Sequence, residues 1–381
     1  MKFRFSITAS CAEKARPDTQ VEMNPVGVLV DSLADRDLLN AQMSNAREII
    51  RRLDPARFHV SVFRAGEPDL RIAQRPNTRL IPLPQRRRTI RILREFLLGR
   101  HDILFYMKAA PASKWYLQLR KRWRDTRITV ATVESQSDIR NEPTITPENV
   151  RLWEQTVLRC DYLFSNSPAV KRSLEREYGL HSEAVPTGVD TNFFTPSWDR
   201  LANARLRVLF AGSLRPFKQP QLLVEAASRF PQADFVIAGE GLMAEELKAQ
   251  VQRKQLVNVM LTGLLGADSL RKEYQLADVF LFPSAWEGSP KVILEAAACG
   301  LPVIARKNYE PETVVSGKTG YLVTSDDELF VRLEELLCRQ ELRQTLGRAG
   351  RKHIEQFDWD IVTRRWEEIF LRLTSSRKTG H

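Results

Sequence analysis

Thirteen short runs rich in Val, Ile, Leu and Phe alternate with longer amphipathic stretches, and the alternation starts twice along the chain. That rhythm constrains the fold more than any other feature, because strand–helix alternation is the pattern of α/β domains with parallel sheets. In the first half strands are expected at 26–30, 58–63, 79–83, 102–107, 127–133, 161–166 and 183–187. Helices fit between them at 37–53, 89–98, 112–124, 147–159 and 167–178. The rhythm resumes with strands at 207–212, 234–239, 259–263, 279–283, 302–305 and 320–323. Helices are expected near 219–229, 243–255, 267–275, 290–299 and 326–338, and two more, 339–355 and 358–373, close the chain. Between the halves, GVDTNFFTPSWDRLANAR (188–205) gathers turn residues and loses periodicity. Two Rossmann-like domains joined there imply a cleft at the carboxyl ends of their strands, where ligands bind.

A chain of 381 residues has material for two such cores. The pattern divides it into a loose N-terminal tail (1–22), a first domain (23–190), a second domain (191–357) and a C-terminal crossover helix with its tail (358–381). No apolar stretch approaches the roughly 20 residues that span a bilayer, and the opening lacks the apolar region of a signal peptide. The four cysteines, Cys11, Cys160, Cys299 and Cys338, form no CxxC pair, which argues against a zinc ribbon and a disulfide framework and favours a reducing cytoplasm. The formal net charge of +11 is concentrated: residues 86–127 hold 13 Lys/Arg against 3 Asp/Glu.

The stretch EGSPKVILEAAACG (287–300) sets two carboxylates eight residues apart around a helix start. Ser289 reads as the N-cap and Pro290 as the first helical residue, while Gly300 and Pro302 stop the helix. Glu287 then lies in the loop and Glu295 inside the helix, its side chain tilted back toward the same start. The apolar run around Glu295 buries it, so it needs a polar partner, either a fixed protein group or a ligand. The free N–H groups at the helix start suit an anion, and carboxylates beside an anion site suit a ligand with both phosphates and hydroxyls. Upstream, the loop GSLRPFKQP places Arg215 and Lys218 at another strand end, where two cations can neutralise a diphosphate. Gly212 and Gly239 provide turns at adjacent strand ends.

In order, VLFAGSLRPFK, FVIAGEG, FPSAWEGSPKVILEAAACGLPVIA and TGYLV resemble the donor-binding domain of family-4 retaining glycosyltransferases of GT-B fold, the group 1 type. VPTGVDTNFFTP (185–196) is similar to the interdomain signature of that family, and FDWDIVTRRWEEIF to its C-terminal helix, which packs back on the first domain. The resemblance covers residues 185–370 well. It implies transfer of a sugar from a nucleoside diphosphate to a saccharide or lipid-linked acceptor, with retention of configuration and without a metal or other cofactor. Glu295 would hold ribose hydroxyls and Glu287 the transferred sugar. Backbone around Gly288, Ser289, Pro290, Lys291 and Val292 would hold phosphate or sugar. Arg215 and Lys218 would stabilise charge on the leaving diphosphate. Where the family often has arginine directly after the loop glycine, this chain has Ser213.

The first half departs further. Leu39 and Asn40 stand where the family commonly has a Gly-Gly pair, and leucine rarely takes positive φ. Glu134 stands where many members have histidine; it can serve in acid/base or hydroxyl-orienting work, or cap the following turn. Asp35-Arg36-Asp37 spells a D-x-D but lacks a third ligand and falls in the wrong domain for a donor metal. The basic segment 86–127, with Trp115 and Trp123 among its charges, suits an anionic membrane surface; its aliphatic stripe Ile90, Leu93, Phe96, Leu97 reads as core. Peripheral attachment at the inner membrane face would follow. Other readings remain: another GT-B enzyme such as an epimerase or phosphorylase, a catalytically degenerate member, or a basic nucleic-acid binder. No nucleic-acid motif accompanies the charge.

Overall fold

The computed structural model describes residues 24–36, 41–123, 125–134, 145–199 and 204–378. The first half contributes β1 (Val26–Leu33), β2 (Phe58–Arg64), β3 (Thr78–Pro82), β4 (Ile103–Phe105), β5 (Ile128–Val133), β6 (Tyr162–Ser165) and β7 (Glu183–Ala184). They form one parallel sheet in the order β3-β2-β1-β4-β5-β6-β7. The second half contributes β8 (Arg207–Ala211), β9 (Asp234–Ala238), β10 (Val259–Gly263), β11 (Val279–Phe282), β12 (Val303–Arg306) and β13 (Gly320–Val323), ordered β10-β9-β8-β11-β12-β13. Parallel strands are covered on both faces, which is why these runs are apolar without alternation. Strand order reverses beside β1 in one sheet and beside β8 in the other, and each reversal opens a crevice at the carboxyl ends. The architecture is GT-B: two Rossmann-like units with a C-terminal helix that returns to the first.

That helix, Trp359–Lys378, belongs to the core of the first sheet. The Trp366 ring sits 4.8 Å from both Phe105 and Phe164, and Phe370 lies 5.0 Å from Phe105. The chain therefore crosses twice between the units, and the two crossings run side by side. Val189 N donates to Phe357 O at 2.9 Å, and Trp359 N donates back to Val189 O at 3.0 Å. The Asp190 carboxylate accepts from Arg51 at 2.7 Å and Arg52 at 3.2 Å, both on the helix Ala41–Arg52, and Arg52 also reaches Asp360. One first-unit helix thus holds both crossings.

Several expectations are adjusted. The strand expected over 102–107 pairs only from 103 to 105, because Tyr106 turns to φ +61°. The last strand of the first sheet stops after two residues, close to Pro186, which has no N–H to offer a ladder. The helix expected over 112–124 ends at Leu119. A short helix, Leu70–Ala73, has no counterpart in the sequence pattern; Asp69 caps it by accepting from Arg71 N at 2.9 Å. Leu39 and Asn40 lie outside the described residues.

Candidate active site

The acidic motif begins where β11 ends. The helix it enters spans Lys291–Ala298, and the N-cap position falls on Pro290, not on Ser289 as the sequence suggests. Pro290 has ψ 113°, an extended value, so the chain stays unwound one residue longer and no side chain caps the first turn. Ile293 N donates back to Pro290 O at 3.1 Å, and no side chain competes with an anion for the N–H groups before it.

Glu287 lies in the preceding loop with its carboxylate nearly enclosed. It pairs with Lys218 and lies 2.7 Å from Ser284 Oγ, a fully buried hydroxyl. Lys218 ends a single helical turn, Pro216–Lys218, closed by Lys218 N donating to Arg215 O at 3.0 Å. Its ammonium sits 5.0 Å over the Phe282 ring and 5.3 Å over Phe217, so the cation is held by an aromatic pocket as well as by the carboxylate. Arg215 is exposed at the start of that turn. The loops also bond by backbone, Ala285 N to Phe217 O at 2.7 Å, and Trp286 stacks on Phe217 at 4.2 Å. Two segments far apart in sequence form one rigid wall.

Glu295 finds its partner within the protein. Tyr274, wholly buried on the helix Ala267–Leu276, donates its hydroxyl to Glu295 Oε2 at 3.0 Å. Burial raises the Glu295 carboxyl above its ordinary range, opposed by Lys291 and by the tyrosine hydrogen bond. The tyrosine itself is pushed far up, first by burial and then by the neighbouring carboxylate, so it stays a donor. Glu295 is half-buried, and Tyr274 occupies one of its two carboxylate oxygens. Tyr274 gives no sequence signal, because its spacing from Glu295 follows no single helix.

The glycines place backbone, not side chains. Gly212 and Gly239 follow directly after β8 and β9, and a Cβ on Gly239 would lie 1.8 Å from Gly212 O. Gly288 is another tight position: a Cβ there would lie 2.0 Å from the carbonyl oxygen of Glu134. The loop before the acidic helix and the end of β5 therefore touch through backbone across the cleft. Val292 packs partly into the second core.

Across that contact, Glu134 accepts from Asn45 Nδ2 at 3.2 Å, and its backbone oxygen accepts from Asn166 Nδ2 at 3.0 Å. Burial raises its carboxyl, with Asn45, Lys291 and Tyr106 working in the opposite direction. Lys291 is drawn down by its own burial, an effect that Glu134, Glu295 and Glu48 oppose, so its ammonium feels carboxylates of both units. The sequence points to Lys291 for its backbone alone; the fold adds this charge role. Among the described residues the buried atoms Ser32 Oγ and Asn166 Oδ1 have no hydrogen-bond partner, while Tyr106 engages the side chains of Asn45 and Thr132. Asp31 is buried beside them and pushed up by burial, tempered by Lys108. These polar groups at the ends of β1, β4, β5 and β6 and on the helix Ala41–Arg52 do not stand out in the sequence, since each is ordinary until the sheet order brings them together.

The D-x-D does something else. Asp35 is buried and accepts from Ala65 N and Gly66 N at 3.0 Å each, tying the loop after β2, while Arg36 pairs with Glu67 on the surface. Asp37 lies outside the described residues. Among the described residues no three His, Cys, Asp or Glu side chains converge as metal ligands, and no helix is long and apolar enough to cross a membrane.

Comparison with known proteins bears on the whole arrangement. Residues 199–353 match the family described as glycosyl transferases group 1, and residues 45–193 match glycosyltransferase family 4. A D-inositol 3-phosphate glycosyltransferase of Geodermatophilus obscurus is 32% identical over 240 residues, covering 54% of this chain and 51% of the relative. A GDP-mannose-dependent alpha-(1-6)-phosphatidylinositol monomannoside mannosyltransferase of Mycolicibacterium smegmatis is 28% identical, covering 79% and 83%. The chain spans about half the length of several of the curated relatives it matches. Among solved structures, sucrose-phosphate synthase from Thermosynechococcus elongatus superposes with a TM-score of 0.77 at 20% identity, covering 93% of this chain and 100% of that one. Anabaena HepE in complex with UDP follows at 0.74 and 16%, covering 91% and 100%. With consecutive family matches over both halves and the GT-B arrangement of sheets, the chain belongs to the family-4, group 1 glycosyltransferases.

Proposed function

We propose that this protein transfers a sugar from a nucleoside diphosphate to an acceptor bound against the first unit, with retention of anomeric configuration and without a metal. The observation that carries the reading is the pairing of Lys218 with Glu287 on one wall of the cleft, beside an uncapped helix start. Bound diphosphate would take the place of Glu287 as the lysine's counter-charge. That exchange frees the Glu287 carboxylate for the sugar's hydroxyls and leaves Lys218, with Arg215, to stabilise the charge that grows on the departing phosphate. Glu295, fixed by Tyr274, is suited to ribose hydroxyls. The UDP bound by HepE, a neighbour in fold, supports the donor class.

Calorimetry with UDP, GDP and ADP, each with and without EDTA, tests the donor site. Binding of at least one, unchanged by EDTA and lost in Lys218→Ala, is the expected result. Failure of all three, or loss with EDTA, would refute the reading. Proton NMR of the product reports its anomeric configuration.

The acceptor is read as a saccharide, most simply lipid-linked, met at an anionic membrane face of the cytoplasm. Ile90, Leu98, Trp115 and Trp123 are all exposed among the arginines and lysines of 86–127, an arrangement that favours a headgroup boundary. Of the stripe expected to be core, Phe96 is buried and Ile90 is not. Salt-sensitive co-sedimentation with anionic vesicles is expected; a protein that stays in the supernatant at low salt has a soluble acceptor.

A further inference from the structure

The helix Arg88–Leu98 runs antiparallel to the strands, from the cleft side of the first sheet to the opposite edge. At that far edge it closes a cavity of about 640 Å³ with the starts of β2 and β3 and the turn that enters β4. The walls include Arg79, Arg91, Arg94, Arg100, His59 and His101. One acidic side chain faces this set. Glu95 is buried, and it accepts from Arg79, from Arg91 at 3.3 Å, and lies 3.0 Å from His101 Nε2. Burial alone would raise its carboxyl, but the hydrogen bonds of His101 and Arg79 outweigh that and hold it below the ordinary range.

A buried carboxylate that gathers three donors serves here as a fixed post. Arg79 is pinned further by its Nε donating to the buried Ser61 hydroxyl at 3.2 Å. Two guanidiniums are thus oriented before any ligand arrives, which removes part of the ordering cost of binding. Arg94 and Arg100 make no ion pair among the described residues, and both are exposed at the mouth. Four arginines against one carboxylate leave the cavity with a surplus of about three positive charges. Guanidinium forks match the tetrahedral oxygens of phosphate by paired hydrogen bonds. Leu98, 70% exposed, forms an apolar lip beside them.

We propose that this cavity is a phosphate-binding site, distinct from the donor cleft, which takes a phosphomonoester or a free phosphate dianion. It opens at the amino ends of β2 and β3, whereas the donor and acceptor groups gather at the carboxyl ends, so the two sites do not share a residue. The inference does not rest on the transferase reading. It also differs from general attraction to an anionic surface, because it requires a particular group of side chains.

The test uses the full chain, an Arg94→Ser/Arg100→Ser variant, and a Lys121→Ser/Arg122→Ser variant that removes the same charge from exposed positions of the same basic segment. Each is titrated with inorganic phosphate by calorimetry and sedimented with phosphatidylcholine vesicles containing phosphatidate. The wild type should bind one or both probes. The Arg94/Arg100 variant should bind phosphate at least tenfold more weakly and the Lys121/Arg122 variant within about twofold of wild type; on vesicles both should weaken, because both remove charge from 86–127, but the Arg94/Arg100 variant clearly more. Vesicle binding that the Arg94/Arg100 variant loses more than the Lys121/Arg122 variant, without phosphate binding, identifies a lipid headgroup as the source, and binding of both probes shows that phosphate alone suffices. Absence of binding to either probe, or equal weakening in the two variants toward every probe that binds, overturns the proposal. Nucleoside diphosphate titrations on the same three proteins should be identical, so failure here leaves the donor reading untouched.

Discussion

Replacing Glu295 by Gln removes a charge without changing shape, and the structure separates what that does to binding from what it does to stability. The glutamine oxygen can accept the Tyr274 hydroxyl at the same 3.0 Å, so no buried donor is orphaned. A ligand hydroxyl on the other oxygen loses the charge-assisted part of its hydrogen bond, about 1.5 kcal/mol, or about tenfold in affinity; two ribose hydroxyls would lose about a hundredfold. Stability should move the other way. Because burial raises the Glu295 carboxyl above its unfolded value, the folded state holds this proton more tightly than the unfolded chain. That contribution is complete below the unfolded pKa and disappears as pH rises through the higher folded value. The Glu295→Gln variant has no such loss, so its melting temperature relative to wild type should climb from about pH 4 toward about pH 7 and at neutrality equal or exceed it. Calorimetry with the nucleotide that binds, and thermal melts across that range, supply both readouts. Unchanged nucleotide affinity, or a melting temperature depressed equally at every pH, would refute the reasoning.

Two further outcomes follow from packing. Gly288→Ala puts a methyl group 2.0 Å from the Glu134 carbonyl, so the two units must part at that contact; turnover should fall at least tenfold and clearly more than nucleotide affinity, since the clash lies against the first unit and the proposed nucleotide site is in the second. Comparable losses in both would place the contact's role in folding instead. Trp366→Ala empties a site between Phe105 and Phe164 and should cost the first unit about 3–5 kcal/mol, read by denaturant unfolding, although residue 366 lies beyond the whole second sheet in sequence. A cost below about 1 kcal/mol would show that the C-terminal helix is not part of that core.

Much of this molecule is legible in its sequence. Strand positions can be read because parallel strands covered on both faces must be apolar throughout, and the runs at 207–211 and 279–282 sit within one residue of expectation. The order of those strands then carries Gly212, Lys218 and Glu287 to one edge, so a local pattern suffices to nominate them. The start of the acidic helix is displaced by one residue, because Ser-Pro has two ways to begin a helix and the ψ of Pro290 decides between them. Tyr274 as partner of Glu295, the field of both units' carboxylates at Lys291, and the buried amides around Glu134 are decided by the tertiary structure alone. Each depends on pairing between segments far apart along the chain, and no period in the sequence encodes such a distance. The arginine cavity shows the same division: the surplus of charge in 86–127 is written in the sequence, but only the packing of one helix against two strand starts turns part of it into a concave site. Composition and periodicity are properties of neighbours along the chain, whereas a partner is chosen by whatever the fold leaves alongside.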